Sequence, residues 1–258
     1  MNEERTERLP ITWDDKFKFS CHKELSCYNT CCRDVNIFLT PYDVLRMRRA
    51  TGLSSGELLK AYAVALLGED GIPLMVLRMM ENENKTCQFV TRDGCSIYRD
   101  RPWSCRMFPV FPVSSKEEEF WIEGKTSCLG VREEKEWTPR EWKKDQDIET
   151  YDKMNESYKE ITHHDYFLEG NKLDSGKTKL LYTACYDLDQ FKKFLFNTRF
   201  FDIYDVEKEV IEKIKNDDEA LLNFGYRWVR FNLFSEDTLK LKDKKMDKLL
   251  QSRSGVTS

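Results

Sequence analysis

Apolar positions in the first half of the chain fall in short, broken runs, whereas in the second half they recur at three- and four-residue spacings. Thr40-Pro41-Tyr42-Asp43 reads as a helix start, with a hydroxyl cap, a first-turn proline and a carboxylate near the positive end of the dipole; Gly52 stops that helix. Ser54 with Glu57 forms a capping-box pattern, and Leu58, Tyr62, Ala65 and Leu66 follow on one apolar helical face before Gly68 and Gly71 break the chain. Ile72 to Leu77 and Thr86 to Val90 read as strands, with Pro73 confining the first to an edge or a strand start. Met107 to Val113 and Glu119 to Ile122 read as a hairpin across Ser114-Ser115-Lys116, made irregular by Pro109 and Pro112.

From Thr138 the pattern becomes helical. Thr138-Pro139-Arg140-Glu141 is a full helix-start signature, and Ile148, Tyr151, Met154, Tyr158 and Ile161 form an amphipathic stripe. Leu181, Cys185 and Leu188 make a second stripe, and Val206, Val210 and Ile214 a third. Leu221 to Phe234 reads as an aromatic-rich helix packed on a core, and Gln251 to Ser258 as a frayed tail. The fold class expected is α+β: a small cysteine-rich domain with short irregular strands over residues 15–135, then a mainly helical region over 136–258 packed on it.

Composition narrows the chemistry. With 258 residues the chain is long enough to bury its own core without staples. A net charge of -4 with both signs mixed argues against phosphate-driven nucleic-acid binding. Met1 to Pro10 is charged and lacks the apolar core of a signal peptide, and the longest apolar run, Ala61 to Leu67, is too short to span a bilayer. The expectation is a soluble, cytoplasmic protein with reduced thiols and no membrane or nucleic-acid partner.

That expectation gives weight to the cysteines. Eight of the nine lie in two sequence groups: Cys21, Cys27, Cys31 and Cys32, then Cys87, Cys95, Cys105 and Cys128. Four is the ligand count of a closed zinc site or a cubane iron–sulfur cluster, so all eight are candidate metal ligands and the implied cofactor is zinc or iron–sulfur. The spacings match neither the two-residue knuckle of a zinc finger nor the bacterial ferredoxin run. A radical-type cluster motif would need a cysteine where Asp34 stands. In an extended segment Cys31 and Cys32 point to opposite sides and could serve two metal sites, interleaving the groups; a strained, reducible disulfide between them is the alternative. Cys185, on an apolar stripe, reads as plain core.

Arg33, Arg99, Arg101 and Arg106 flank Cys32 and Cys105, where guanidinium groups would offset thiolate charge; ordinary surface arginines paired with Asp34 and Asp100 are the alternative. Tyr98, Pro102, Trp103, Phe108 and Pro109 could build a dry wall around a centre. His22 is a candidate to replace Cys21 as ligand, and His163-His164-Asp165 reads either as a metal or acid–base group or as a solvated helix end. The stretch Lys240 to Lys248 reads as a solvated helix face. No Gly-x-Gly pair occurs among the eleven glycines, which removes the dinucleotide fingerprint and the phosphate-binding loop.

The run ending in Cys31-Cys32-Arg33, the Thr40 to Asp43 segment and above all Cys95-Ser96-Ile97-Tyr98-Arg99-Asp100-Arg101-Pro102-Trp103-Ser104-Cys105-Arg106-Met107-Phe108-Pro109 resemble the YkgJ-type cysteine-cluster family. The resemblance covers roughly residues 19–130 and implies a zinc- or iron-chelating domain. The first cysteine group is spaced more loosely than the family's compact run, which leaves Cys21 the least secure ligand. Some relatives are labelled flagellin lysine N-methylases and others iron–sulfur oxidoreductases. Three functions follow as expectations: a metal protein with a redox use and a redox partner, a modifying enzyme with a protein substrate, or a zinc-stabilised interaction module.

Overall fold

A computed structural model describes residues 10–113, 119–122 and 128–242. The expected Ser114-Ser115-Lys116 turn, most of the lysine-rich stretch and the C-terminal tail lie outside these residues. Contacts divide the chain into two compact units. One comprises Met1–Thr51, Ala61–Val64 and Met75–Lys153, and the other Gly52–Lys60, Ala65–Leu74 and Met154–Ser258. The class is α+β, with short strands first and helices after.

Strands β1 (Pro10–Ile11), β2 (Phe17–Lys18) and β3 (Phe38–Leu39) precede helix α1 (Pro41–Thr51). The Thr40 hydroxyl accepts the Asp43 N–H at 3.1 Å, the cap the sequence predicts, and the Asp43 carboxylate accepts the Thr40 N–H at 2.7 Å, which makes the cap reciprocal. Gly52 ends the helix at φ +70°, a conformation cheap for glycine. Helix α2 (Ser55–Tyr62) starts on the Ser54–Glu57 pair in the same way. It does not continue along the apolar face through Ala65 and Leu66. The Tyr62 carbonyl accepts the Arg78 N–H at 2.8 Å, and the chain turns into strand β4 (Ala63–Leu67), on which Ala65 and Leu66 are exposed. Sheet pairing has overridden helical periodicity there.

Strand β5 (Pro73–Leu77) begins on its proline and pairs with β3 in the register Phe38↔Val76, Leu39↔Met75, in a sheet ordered β3-β5-β4. The strand expected over Thr86 to Val90 is not continuous. Thr86 and Cys87 make isolated bridges to Arg33 and Met79, and the chain then forms the small hairpin β6 (Val90–Thr91) and β7 (Gly94–Cys95). After the short helix α3 (Trp103–Met107), β8 (Val110–Pro112) and β9 (Phe120–Ile122) pair in regular register from Val110↔Ile122 to Pro112↔Phe120. The prolines do not disturb it, because β8 is an edge strand in the order β1-β9-β8.

Strand β10 (Glu136–Trp137) pairs with β2, and α4 (Pro139–Asp145) starts on the expected Thr138–Glu141 capping box. The core of this unit joins Phe17, Phe19, Met107, Val110, Phe120, Cys128, Val131, Trp142 and Ile148. Its aromatic rings meet edge to face, as Phe19 and Trp142 do at 5.3 Å.

Helix α5 (Ile148–Thr162) leads from this unit into the second, which continues with α6 (Asp165–Leu168), α7 (Ser175–Cys185), α8 (Leu188–Asn197), α9 (Phe200–Ile203), β11 (Tyr204–Asp205), α10 (Lys208–Asn216), α11 (Asp218–Phe234) and β12 (Lys240–Leu241). Lys240 lies on β12, not on the helix face its charge pattern predicts. Asp174, Asp187 and Asp217 cap α7, α8 and α11 through their carboxylates. The core of this unit includes Leu181, Cys185, Phe191, Leu195, Leu221 and Val229, each shielded from solvent. Cys185 is core, as its stripe predicts.

Candidate metal centre

Backbone pairing brings the eight cysteines together. The Ser20 N–H donates to the Gly130 carbonyl at 3.0 Å, so the segment carrying Cys21 lies beside the turn that follows Cys128. Gly130 makes this approach possible, because a Cβ there would meet the Ser20 carbonyl oxygen at 2.8 Å. The Leu129 N–H donates to the Cys27 sulfur at 3.2 Å, fixing a second early cysteine to the same turn. Across the unit, the Cys87 N–H donates to the Cys32 carbonyl at 2.8 Å. The β6–β7 hairpin then opposes Val90 and Cys95, and Gly94, at φ +109°, leaves room for the Tyr28 hydroxyl.

The result re-sorts the two sequence groups. Burial pushes the Cys21 thiol up to about 11, and the sulfurs of Cys31, Cys128 and Cys27 are near enough to add charge repulsion. Burial raises Cys128 too, with Cys27 and Cys31 beside it. Burial raises Cys105 well above the ordinary thiol range, reinforced by Cys87, Asp43 and Cys95. Cys32 is held well up by its hydrogen bond to Cys31, and it also feels Cys105 and Cys87. Cys21, Cys27, Cys31 and Cys128 therefore form one neighbourhood, and Cys32, Cys87, Cys95 and Cys105 another. Each group takes members from both sequence clusters.

The vicinal pair joins them. Thr30–Cys32 is a turn of 3-10 helix following Asn29 at φ +65°, not the extended segment expected. Neighbours on such a turn diverge by about 120°, enough to enter different groups. The hydrogen bond from Cys32 draws the Cys31 thiol down to about 7. No disulfide forms, and all nine thiols are free.

Backbone N–H groups lie near the sulfurs as well. The Phe89 and Val90 amides near Cys87, Ile97 near Cys95, and Gly130 and Val131 near Cys128 lower these thiols, against the larger effect of burial, which raises them. Such donors favour a thiolate over a thiol and are what a bound metal centre uses to orient and tune its ligands. The donor set of four grouped sulfurs thus fits zinc or an iron–sulfur cluster in kind. Among the described residues no three His, Cys, Asp or Glu side chains already converge closely enough to hold an ion, so ligation requires the sulfurs of each group to draw together.

The long motif from Cys95 to Pro109 works as scaffolding for Cys105. The Trp103 N–H donates to the buried Asp43 carboxylate at 2.7 Å, and the Trp103 indole donates to Asp152 at 2.7 Å. Asp43, expected only as a helix-start residue, therefore also anchors the start of α3. Burial raises its carboxyl to about 6, opposed by hydrogen bonds from Thr40 and Trp103. Asp100 accepts from Arg46 at 2.7 Å.

Of the four arginines predicted beside thiolates, Arg101 is the one whose charge reaches Cys95 and Cys105. It donates to the Tyr98 carbonyl and to Gln146, and stacks 3.8 Å from the Tyr98 ring centroid. Arg106 instead turns to the carbonyls of Arg99, Arg101 and Gln146. Arg33 and Arg99 are exposed, and Asp34 pairs with Lys85. Tyr98 is 59% exposed, so it shields Arg101 from one side and does not form a dry wall.

The histidines take structural or surface roles. His22 lies between Glu24 and Glu133, at 3.8 and 3.3 Å. His164 caps α6 by accepting the Tyr166 N–H, stacks on Phe234 at 3.8 Å and faces Glu236 at 3.3 Å.

Residues 20–140 match the model of the CxxCxxCC family, described as "Putative zinc- or iron-chelating domain". That segment is similar to this family's domain, which supports a cysteine-cluster reading of it. It contains all eight grouped cysteines and leaves Cys185 outside. Within the domain the first run reads Cys-x5-Cys-x3-Cys-Cys, more open than the family's name. No curated protein and no solved structure matches the chain. Among the described residues no helix is long and apolar enough to cross a membrane.

Proposed function

We propose that the chain is a metal-binding protein with two four-cysteine centres, one on Cys21, Cys27, Cys31 and Cys128, the other on Cys32, Cys87, Cys95 and Cys105. The observation that carries this reading is the spatial sorting of eight thiols into two groups of four, with the Leu129 N–H aimed at the Cys27 sulfur. Isolated core thiols need no such donor. Zinc in these centres would tie the loops together, and an iron–sulfur cluster would add one-electron transfer. The residues supply the rest: Arg101 offsets charge at the second group, and the hydrogen bond between Cys31 and Cys32 joins the two. A cytoplasmic setting, in which the thiols stay reduced, belongs to the same proposal.

Anaerobic purification with iron, acid-labile sulfide and zinc analysis tests it. Two zinc ions or two clusters per chain are expected, with the eight thiols protected from alkylation. Cys105→Ser is expected to lose one centre and keep the other. A folded protein without metal, whose eight thiols all alkylate, overturns the reading.

A further inference from the structure

The two groups differ in their access to solvent and in the charge around them. Two members of the first group, Cys21 and Cys31, are exposed, with Cys27 partly accessible and Cys128 buried, whereas no member of the second is exposed and all four are only partly accessible. The first group's flank is the charged turn His22-Lys23-Glu24, and the Glu24 side chain is 92% exposed. The second group's neighbours Asp43, Phe89, Ile97 and Arg101 are all buried. Compensation differs as well. Arg101 sets a positive charge beside Cys95 and Cys105, while the influences on Cys21 and Cys128 are burial, other cysteines and backbone N–H groups. Four thiolates around a divalent ion carry two net negative charges, so a buried guanidinium favours retention at the second group.

Resting on the two-centre reading, we infer that Cys21, Cys27, Cys31 and Cys128 form an exchanging centre, and that Cys32, Cys87, Cys95 and Cys105 form a retaining one. The partner class follows from the ligands. Metal leaving or entering a four-sulfur centre is matched best by another thiol, either a small thiol or an exposed cysteine pair on a protein. Such a partner can reach Cys21 and Cys31 from solvent. The retaining centre offers no exposed cysteine to such a partner.

The test uses the full chain loaded with zinc and challenged by excess chromogenic chelator, with and without a small dithiol. Two release phases of equal amplitude are expected, separated by about tenfold to a hundredfold in rate. The dithiol is expected to accelerate only the fast one. Cys21→Ser combined with Cys31→Ser should remove the fast phase and halve the zinc. Mass mapping of alkylated peptides during the fast phase avoids dependence on variants: Cys21 and Cys31 should label before Cys87, Cys95 and Cys105. A single phase, or first labelling of Cys87, Cys95 and Cys105, overturns the inference while leaving two centres intact. A folded chain that takes up no zinc, iron or sulfide overturns the two-centre reading and this inference with it.

Discussion

Arg106 offers the sharpest test of how the Cys95 to Pro109 motif works, because its sequence position and its structure point to different roles. It adjoins Cys105, yet its guanidinium is buried against three carbonyls and lies 4.6 Å from the Tyr151 ring centroid. Nη1 donates to Gln146 at 2.6 Å and Nε to Arg101 at 3.2 Å, with the Arg99 carbonyl completing the set. Two of these acceptors have a second donor, Arg46 at the Arg99 carbonyl and the Tyr151 hydroxyl at the Arg101 carbonyl.

Arg106→Met therefore strips the Gln146 carbonyl and weakens the other two. Orphaning one buried acceptor costs about 2 kcal/mol, and the shared bonds and ring contact about 2 kcal/mol more. Asp43 also loses a nearby positive charge. The expected loss is about 4 kcal/mol, roughly three decades in the folding equilibrium. Urea unfolding of the metal-replete protein, followed by tryptophan fluorescence, measures it. Arg106→Lys should recover less than half, since one ammonium cannot span three carbonyls. Metal content per folded molecule should not change. A loss below about 1 kcal/mol, full rescue by lysine, or a specific loss of metal would refute the scaffold role.

Two further outcomes are expected. The thiols of the second group are all raised above the ordinary range, so at pH 7 they are protonated, and ligation as thiolates releases about four protons per centre. Its metal affinity should rise steeply with pH, by about four decades per unit near neutrality; calorimetry in buffers of different ionisation enthalpy reads the protons, and fewer than about two counts against the ligand set. Cys185→Ala should cost about 1 kcal/mol in unfolding free energy and leave metal stoichiometry unchanged, because the thiol is fully shielded in the helical core.

Local signals carried most of the helices. Thr40 with Asp43, Ser54 with Glu57 and Thr138 with Glu141 name their helix starts within four residues, and each pair forms reciprocal bonds. The stripe from Ile148 to Ile161 is likewise local. Ala65 and Leu66 fit the helical period and still fall on a strand, because the Arg78 N–H that claims the Tyr62 carbonyl lies sixteen residues away. The vicinal Cys31–Cys32 pair signalled that the groups could interleave, but which cysteines join which group was not legible, for the same reason. Their grouping depends on the Ser20–Gly130 and Cys87–Cys32 backbone bonds, which no spacing records. The choice between Arg101 and Arg106 was also hidden, since both flank Cys105 and only packing against Gln146 and Tyr151 separates them. Asp43 gave a signal for its cap and none for its second partner, Trp103.

The adjacency of Cys31 and Cys32 has a topological consequence. With a metal in each proposed centre, one would close the chain from residue 32 to 105, a loop of about seventy residues, and the other from 31 to 128, a loop of nearly a hundred. The first loop is nested inside the second, and the two share a starting point one peptide bond apart. Once the inner loop is closed, most of the outer one is already gathered, and only the stretch from 105 to 128 remains to be ordered. The second closure then costs the entropy of a loop of about two dozen residues. Assembly from the inside outward is thus the cheaper order. The outer closure, last to form, would be the first to open.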